Sequence, residues 1–180
     1  MEIMIPAWVN GVLTPVEKIE VHVRGLRHKA VSVFVMRGSE VLIQRRAAGK
    51  YHTPGLWANT CCTHPNWGES PKDCAIRRLN EELGISGLDP VHRQLLEYRA
   101  SVGKGLTEHE VVYVFVAEAP AGLKVAPDPR EVMDIDWVEI TDLIMYVATN
   151  PDRYTPWLDI YLREHVDAIF GSFLTDSAPV

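Results

Sequence analysis

Residues 70–85, SPKDCAIRRLNEELGI, carry the signal that decides how this chain folds. Ser70 is a good N-cap, because its hydroxyl can accept a backbone N–H of the first turn. Pro71 suits the first helical position, and Asp73 sits near the positive end of the helix dipole. Ala75, Leu79 and Leu83 recur every four residues and make one apolar stripe, and Gly84 is placed to close the helix in a left-handed conformation. A helix over 70–83 follows. Its polar face pairs Arg77 with Glu81 and Arg78 with Glu82, each four residues apart. By themselves these read as surface ion pairs worth about 0.2–0.5 kcal/mol each.

On either side of this helix the pattern changes period. AVSVFVM at 30–36 is a β-branched apolar run consistent with a buried strand. Arg37-Gly38-Ser39-Glu40 is a turn signal, and VLIQR at 41–45 reads as the returning strand of a hairpin. Residues 47–66 are loop-like but rich in Trp, His and Cys, as functional loops often are. Residues 92–100, 111–117 (VVYVFVA) and 134–140 (DIDWVEI) read as strands. Residues 157–170 predict one C-terminal amphipathic helix, with a loose tail from Ser172. There is no repeat, low-complexity tract or Pro/Ser-rich linker, so residues 1–180 are expected to form a single domain with its core over about 18–170. Strands and helices mix without strict alternation. That favours an α+β class, a mixed β-sheet sandwich flanked by helices, over a doubly wound sheet.

Composition narrows the function. The net charge of −6 argues against a nucleic-acid partner, which calls for a basic footprint. No apolar run approaches the roughly 20 residues needed to span a bilayer, so no membrane partner is expected. The start, MEIMIPAWVNG, lacks the basic and apolar regions of a signal peptide. Three cysteines, two of them adjacent, do not make a disulfide framework, and a reducing cytoplasm is the expected compartment. The small size suggests a monomer. Against this acidic background Arg45, Arg46, Lys50, Arg77 and Arg78 gather near one loop, either as a solvated basic face or as a receiver for an anion.

Three further groups carry possible chemistry. In GLWANTCCTHP at 55–65, an extended segment turns Cys62 and His64 to one face and Cys61 and Thr63 to the other. Cys62 then reads as a small buried hydrophobe or as a thiol made reactive by its neighbours. In TEHEVVYVF at 107–115, Glu108 and Glu110 share a face opposite His109. Two adjacent carboxylates at the mouth of an apolar strand call for solvation or a cation. His22 and His28, just before the first strand, are surface histidines or the nitrogen donors that His64, Glu108 and Glu110 need to complete a mixed N/O metal site.

The segment RRLNEELGI at 77–85 resembles the second half of a Nudix box, with Glu69 eight residues before Arg77 as that box expects. Thr63 stands where the box opens with Gly, and Arg78 where hydrolases of the superfamily carry a metal-holding Glu. Arginine there suits bidentate pairing with phosphate oxygens. With RRAAGKYHTPGLWANTCCTHP at 45–65, YRA at 98–100, TEHE at 107–110 and TPW at 155–157, the chain over about 18–160 resembles the type I isopentenyl-diphosphate isomerases, a Nudix-superfamily family.

The resemblance implies interconversion of isopentenyl and dimethylallyl diphosphate by protonation and deprotonation through a tertiary carbocation. It implies Cys62 and Glu110 as the catalytic pair, with Tyr98 and Trp157 as aromatic residues of the active site. It implies Lys18, Arg46, Lys50 and Arg78 on the substrate diphosphate. His22, His28, His64, Glu108 and Glu110 would hold a divalent metal, Mn2+ or Zn2+, and Glu82 a Mg2+ that rides on the diphosphate. Trp157 would face the cation with its π cloud. The loop at 55–67 and the segment carrying His22 are the expected covers of the site. A Nudix hydrolase that releases phosphate, or an inactive Nudix binding module, would share the helix but has no need of Cys62.

Overall fold

The computed structural model describes residues 2–174. An N-terminal hairpin, β1 (Met4–Val9) and β2 (Val12–Glu17), leads into a short helix α1 (Lys18–Arg24). There follow β3 (His28–Arg37), β4 (Glu40–Arg46), the short β5 (Trp57–Ala58) and β6 (Cys61–Thr63), and helix α2 (Pro71–Leu83). Strands β7 (Val91–Ser101), β8 (Thr107–Glu118) and β9 (Val132–Glu139) precede helices α3 (Ile140–Thr149), α4 (Pro156–Glu164) and α5 (Val166–Leu174). Expectation and structure agree on α2, including Ser70 accepting the Asp73 N–H and Gly84 in the left-handed region at φ 63°.

The sheet is mixed and centred on β3. It runs parallel to β8 along its length and antiparallel to β4 and β6, and β8 pairs antiparallel with β7. Strand β4 meets β3 only at the Met36↔Val41 and Arg37↔Glu40 turn, then leaves it to pair with β9 over seven registered positions. The divergence opens a wedge, and β5 and β6 fill it.

Both faces of β3 are covered, which is why its sequence is apolar nearly throughout. Val31, Val33 and Val35 pack with Leu79 and Leu83 of α2. Ala30, Phe34 and Met36 pack with Trp157, Tyr161 and Phe170 of the C-terminal helices. Among the described residues no helix is long and apolar enough to cross a membrane.

Three elements differ from the sequence reading. The single helix expected over 157–170 is two, broken at His165, whose φ −132°, ψ 13° ends α4. The break re-aims the chain so that Phe170 packs edge-on to Phe34, ring centroids 4.9 Å apart. Helix α5 runs through Leu174, so Ser172–Leu174 of the expected tail are helical, and residues 175–180 lie outside those described. The N-terminal hairpin lies outside the expected strands, although Asn10-Gly11, at φ 52° and 80°, is the turn pair that such hairpins favour.

Candidate active site

The site forms where the parallel pair β3/β8 begins. Register sets His28 directly opposite Glu110, and the period of two puts Glu108 on the same face of β8. Strand β6 lies along the other edge of β3 with Ser32↔Cys62 in register, which carries His64 to the same end. Helix α1 crosses above and contributes Lys18 and His22, one turn apart.

His22, His28, His64 and Glu108 form a buried group whose donor atoms all lie within 4.8 Å of one another. His22 Nδ1 is 2.5 Å from the Lys18 carbonyl and His28 Nδ1 is 2.7 Å from the Leu26 carbonyl. Each ring therefore keeps its proton on Nδ1 and turns the Nε2 lone pair inward, the usual way a ligating imidazole is oriented. Those Nε2 atoms lie 3.1 and 3.3 Å from Glu108 Oε2. Among the described residues Glu108 Oε2 has no partner of hydrogen-bonding geometry. His28 Nε2 also faces His64 Nε2 at 3.2 Å. Lone pairs and a carboxylate aimed at one point repel unless a cation lies among them, so this donor set fits a divalent metal.

The carboxylates dominate the electrostatics of the group. Although burial works against it, Glu108 is held well below the usual carboxylate range by the four surrounding imidazoles. Burial pulls His28 down, but the nearby Glu108 and Glu110 carboxylates outweigh it and push the ring up to about 9, so a proton and a metal compete for its Nε2. Burial keeps His64 below its ordinary value.

Glu110 joins this group through Oε1, 3.0 Å from His64 Nε2, while its Oε2 accepts a 2.5 Å hydrogen bond from the Tyr98 hydroxyl. Cys62 and His64 share a face as expected, and Cys61 is fully buried on the α2 side. Burial pushes the Cys62 thiol well up and Glu110 adds to it, opposed by a hydrogen bond from Ser32. Trp157 donates its indole N–H to Asn59 at 3.1 Å and lies 5.3 Å from the Arg46 guanidinium.

Cys62, Glu110, Glu108, Trp157 and His52 line one narrow pocket of about 20 Å³, whose remaining wall is Tyr51, Thr63, His64 and the cations Lys18, Arg46, Lys50 and Arg78. Outside it lies a wider cationic cleft of about 290 Å³ between Lys18, Lys50, Arg77 and Arg78. Burial and repulsion from Lys50 and Arg78 lower the Lys18 ammonium to about 8, an energetic cost that a bound anion relieves. Lys50 pairs with Glu131, and Arg78 with Glu82 at 2.6 Å. Glu82 is buried, also accepts from Gln44 at 2.9 Å, and lies behind Arg78 rather than within the His/Glu group.

Arg45 does not join this wall; its Nε donates to the Gly55 carbonyl on the outer surface. Of the expected covers, 55–67 lines the pocket through Cys62, Thr63 and His64, and the helix carrying His22 lines it through Lys18. The loop before 55–67 adds Tyr51, its ring 5.0 Å from the Lys18 ammonium, and His52, whose Nε2 lies 2.7 Å from Glu108 Oε1. His52 went unassigned in the sequence, although it sits inside the same motif as Lys50. In the sequence Ser32 is likewise only one position of an apolar strand.

The NUDIX domain family matches residues 26–158. The chain is 66% identical over 175 residues to the isopentenyl-diphosphate Delta-isomerase of Dinoroseobacter shibae, covering 97% of this chain and 99% of that one. It is 68% identical over 171 residues to the enzyme of the same name from Roseobacter denitrificans, covering 95% and 97%. Among solved structures, DR0079 from Deinococcus radiodurans superposes with a TM-score of 0.69 at 15% identity, over 90% of this chain and 98% of that one. A MutT NUDIX hydrolase from Burkholderia pseudomallei gives 0.60 at 21%, over 77% and 98%. The structural likenesses speak to the fold and the close relatives to the family: this chain belongs to the isopentenyl-diphosphate Delta-isomerases of the NUDIX superfamily.

Proposed function

We propose that this protein interconverts isopentenyl diphosphate and dimethylallyl diphosphate by moving one proton onto the terminal methylene and another off the carbon nearer the diphosphate. The observation that carries the reading is a thiol, a carboxylate and an indole sharing one narrow pocket with a cationic wall. An unactivated alkene is a weak base, so its protonation needs a positioned acid and a site without water. Cys62 and Glu110 are the two groups that give and take protons. The Tyr98 hydroxyl, at 2.5 Å, fixes the Glu110 carboxylate and can pass it a proton. The indole of Trp157, already 5.3 Å from one cation, Arg46, offers its π face to the developing tertiary carbocation, worth about 2 kcal/mol when desolvated. Lys18, Arg46, Lys50 and Arg78 hold the diphosphate, with Arg78 exchanging its hold on Glu82 for phosphate oxygens.

His22, His28, His64, Glu108 and Glu110 would hold Mn2+ or Zn2+, and Glu82 a Mg2+ that arrives with the diphosphate. A divalent cation there supplies the positive charge that keeps adjacent carboxylates ionised. At about 20 Å³ the inner pocket is smaller than an isoprenyl group, so its lining side chains shift to admit substrate. We read the enzyme as a cytoplasmic monomer without nucleic-acid or membrane partners, in keeping with its charge of −6.

The test is proton NMR of the enzyme with isopentenyl diphosphate and Mg2+ in deuterated water. Deuterium-bearing dimethylallyl diphosphate without free phosphate is expected, and both Cys62→Ala and Glu110→Gln should abolish it. Release of phosphate in place of isomerisation would establish a hydrolase.

A further inference from the structure

Ser32 is an anomaly in its own strand. It is a fully buried hydroxyl in the middle of the run AVSVFVM, where every neighbour is apolar. A buried hydroxyl without a partner costs about 1–3 kcal/mol, so what it bonds to is informative. Strand period turns it to the same face as Ala30 and Phe34, the layer covered by α4, and antiparallel register sets it directly opposite Cys62.

Its Oγ donates to the Cys62 sulfur at 3.4 Å. The same Oγ lies 2.8 Å from the hydroxyl of Tyr161, which is itself fully buried on α4. With the serine proton directed at sulfur, donation from the phenol completes a chain Tyr161 O–H to Ser32 O–H to Cys62 S; the same phenol is also within hydrogen-bonding reach of Tyr98. Among the described residues Ser32 alone hydrogen-bonds to the thiol, and Tyr161 acts on it through Ser32.

We propose that Ser32, oriented by Tyr161, is the positioning residue for Cys62: it holds the sulfur in the rotamer that faces the pocket and keeps one sulfur lone pair engaged from behind. The proposal rests on Cys62 being one of the two proton-transfer groups. The two groups would then be held alike, Cys62 by the serine hydroxyl and Glu110 by that of Tyr98. The supports come from β3 with α4 for the thiol and β7 for the carboxylate, and they meet where the Tyr161 and Tyr98 rings lie edge-on, centroids 6.1 Å apart. Neither support touches the diphosphate cations, so loss of the Ser32 bond should act on turnover and leave substrate binding alone.

The kinetic arm compares Ser32→Ala, Ser32→Thr and Tyr161→Phe with the intact enzyme, after thermal unfolding has shown each to be folded. Loss of one such bond predicts about a tenfold lower kcat with KM unchanged in Ser32→Ala. Tyr161→Phe should show a smaller fall in the same direction, and Ser32→Thr, which keeps the hydroxyl, should recover most of the loss. A rise in KM at constant kcat, or a threonine variant as slow as alanine, overturns the proposal.

The second arm is independent of activity. The S–H stretching band of Cys62, assigned by its disappearance in Cys62→Ala, should shift in Ser32→Ala and in Tyr161→Phe, and return in Ser32→Thr. An unshifted band overturns the proposal even if kcat falls. If the unmodified protein proves unable to isomerise isopentenyl diphosphate, the functional reading fails, and the infrared arm still decides the Ser32 contact. Should Ser32→Ala not fold, Tyr161→Phe carries both arms, because it deletes one oxygen from an otherwise unchanged ring.

Discussion

His22 and His28 show how little of a metal site resides in the donor residues alone. Each imidazole has two nitrogens, and the Lys18 and Leu26 carbonyls decide which of them faces inward. Glu108 is divided in the same way, Oε2 toward the three histidines and Oε1 toward His52. Removing a donor should therefore cost more than removing a support. His64→Ala and Glu108→Gln are expected to lose divalent metal on dialysis, and His22→Ala likewise. His52→Ala should keep metal with affinity weakened about tenfold, read by chelator competition. Stoichiometric metal in His22→Ala would remove that residue from the ligand set.

At the scale of the element, α2 is where local signals and tertiary demand coincide. Its last carbonyls are not left to solvent: Ala126 N–H bonds to the Leu83 carbonyl and Asp128 N–H to that of Glu82. The segment after β8 thus closes on the helix end, and Gly84 is the contact point. A Cβ there would meet the Ala126 Cβ and carbonyl oxygen at 3.0 Å, at a backbone φ of 63°. Gly84→Ala should cost roughly 2 kcal/mol, combining left-handed strain with the clash. For a chain of this size that lowers Tm by about 4–8 °C. Gly38→Ala, also left-handed but with open space around it, is the control and should cost about half as much. Equal losses in calorimetry would show that strain alone, not the packing of 126–128, makes the glycine necessary.

For the whole molecule, charge ties the elements together and sets an acid limit. Glu69, in the loop before α2, makes paired hydrogen bonds with Arg77 at 2.6 and 2.7 Å, which hold its carboxyl below the ordinary value of 4.5. A folded pKa below the unfolded one means that the unfolded chain binds protons first. The stabilisation is complete above 4.5 and is lost as pH falls through the depressed value. The Tm should therefore be level with respect to this group above pH 4.5 and decline below it, with a shallower decline in Arg77→Met. An identical acid profile in that variant would assign the loss to other carboxylates. The cations of the pocket are assembled at the same scale, since Lys18, Arg46, Lys50 and Arg78 arrive from α1, β4, a loop and α2.

What the amino-acid order determined here is whatever short-range periodicity encodes. Helix 70–83 with its caps, the shared face of Cys62 and His64, and that of Glu108 and Glu110 all follow from repeats of 3.6 and 2 residues, which hold whatever the rest of the chain does. The break at His165 did not follow, because the stripe Trp157, Tyr161, Leu162, Ile169 continues across it, and only packing on Phe34 makes two helices better than one. His52, Ser32 and Tyr161 were invisible for a related reason. A lone His in a loop, a Ser in an apolar strand and a Tyr on an apolar stripe carry no spacing signal. Their meaning comes from partners more than 25 residues away in sequence: Glu108 lies 2.7 Å from His52, Cys62 3.4 Å from Ser32, and Ser32 2.8 Å from Tyr161. Contacts of that kind are created by the parallel β3/β8 register and by the wedge that admits β6, and only the tertiary structure decides them.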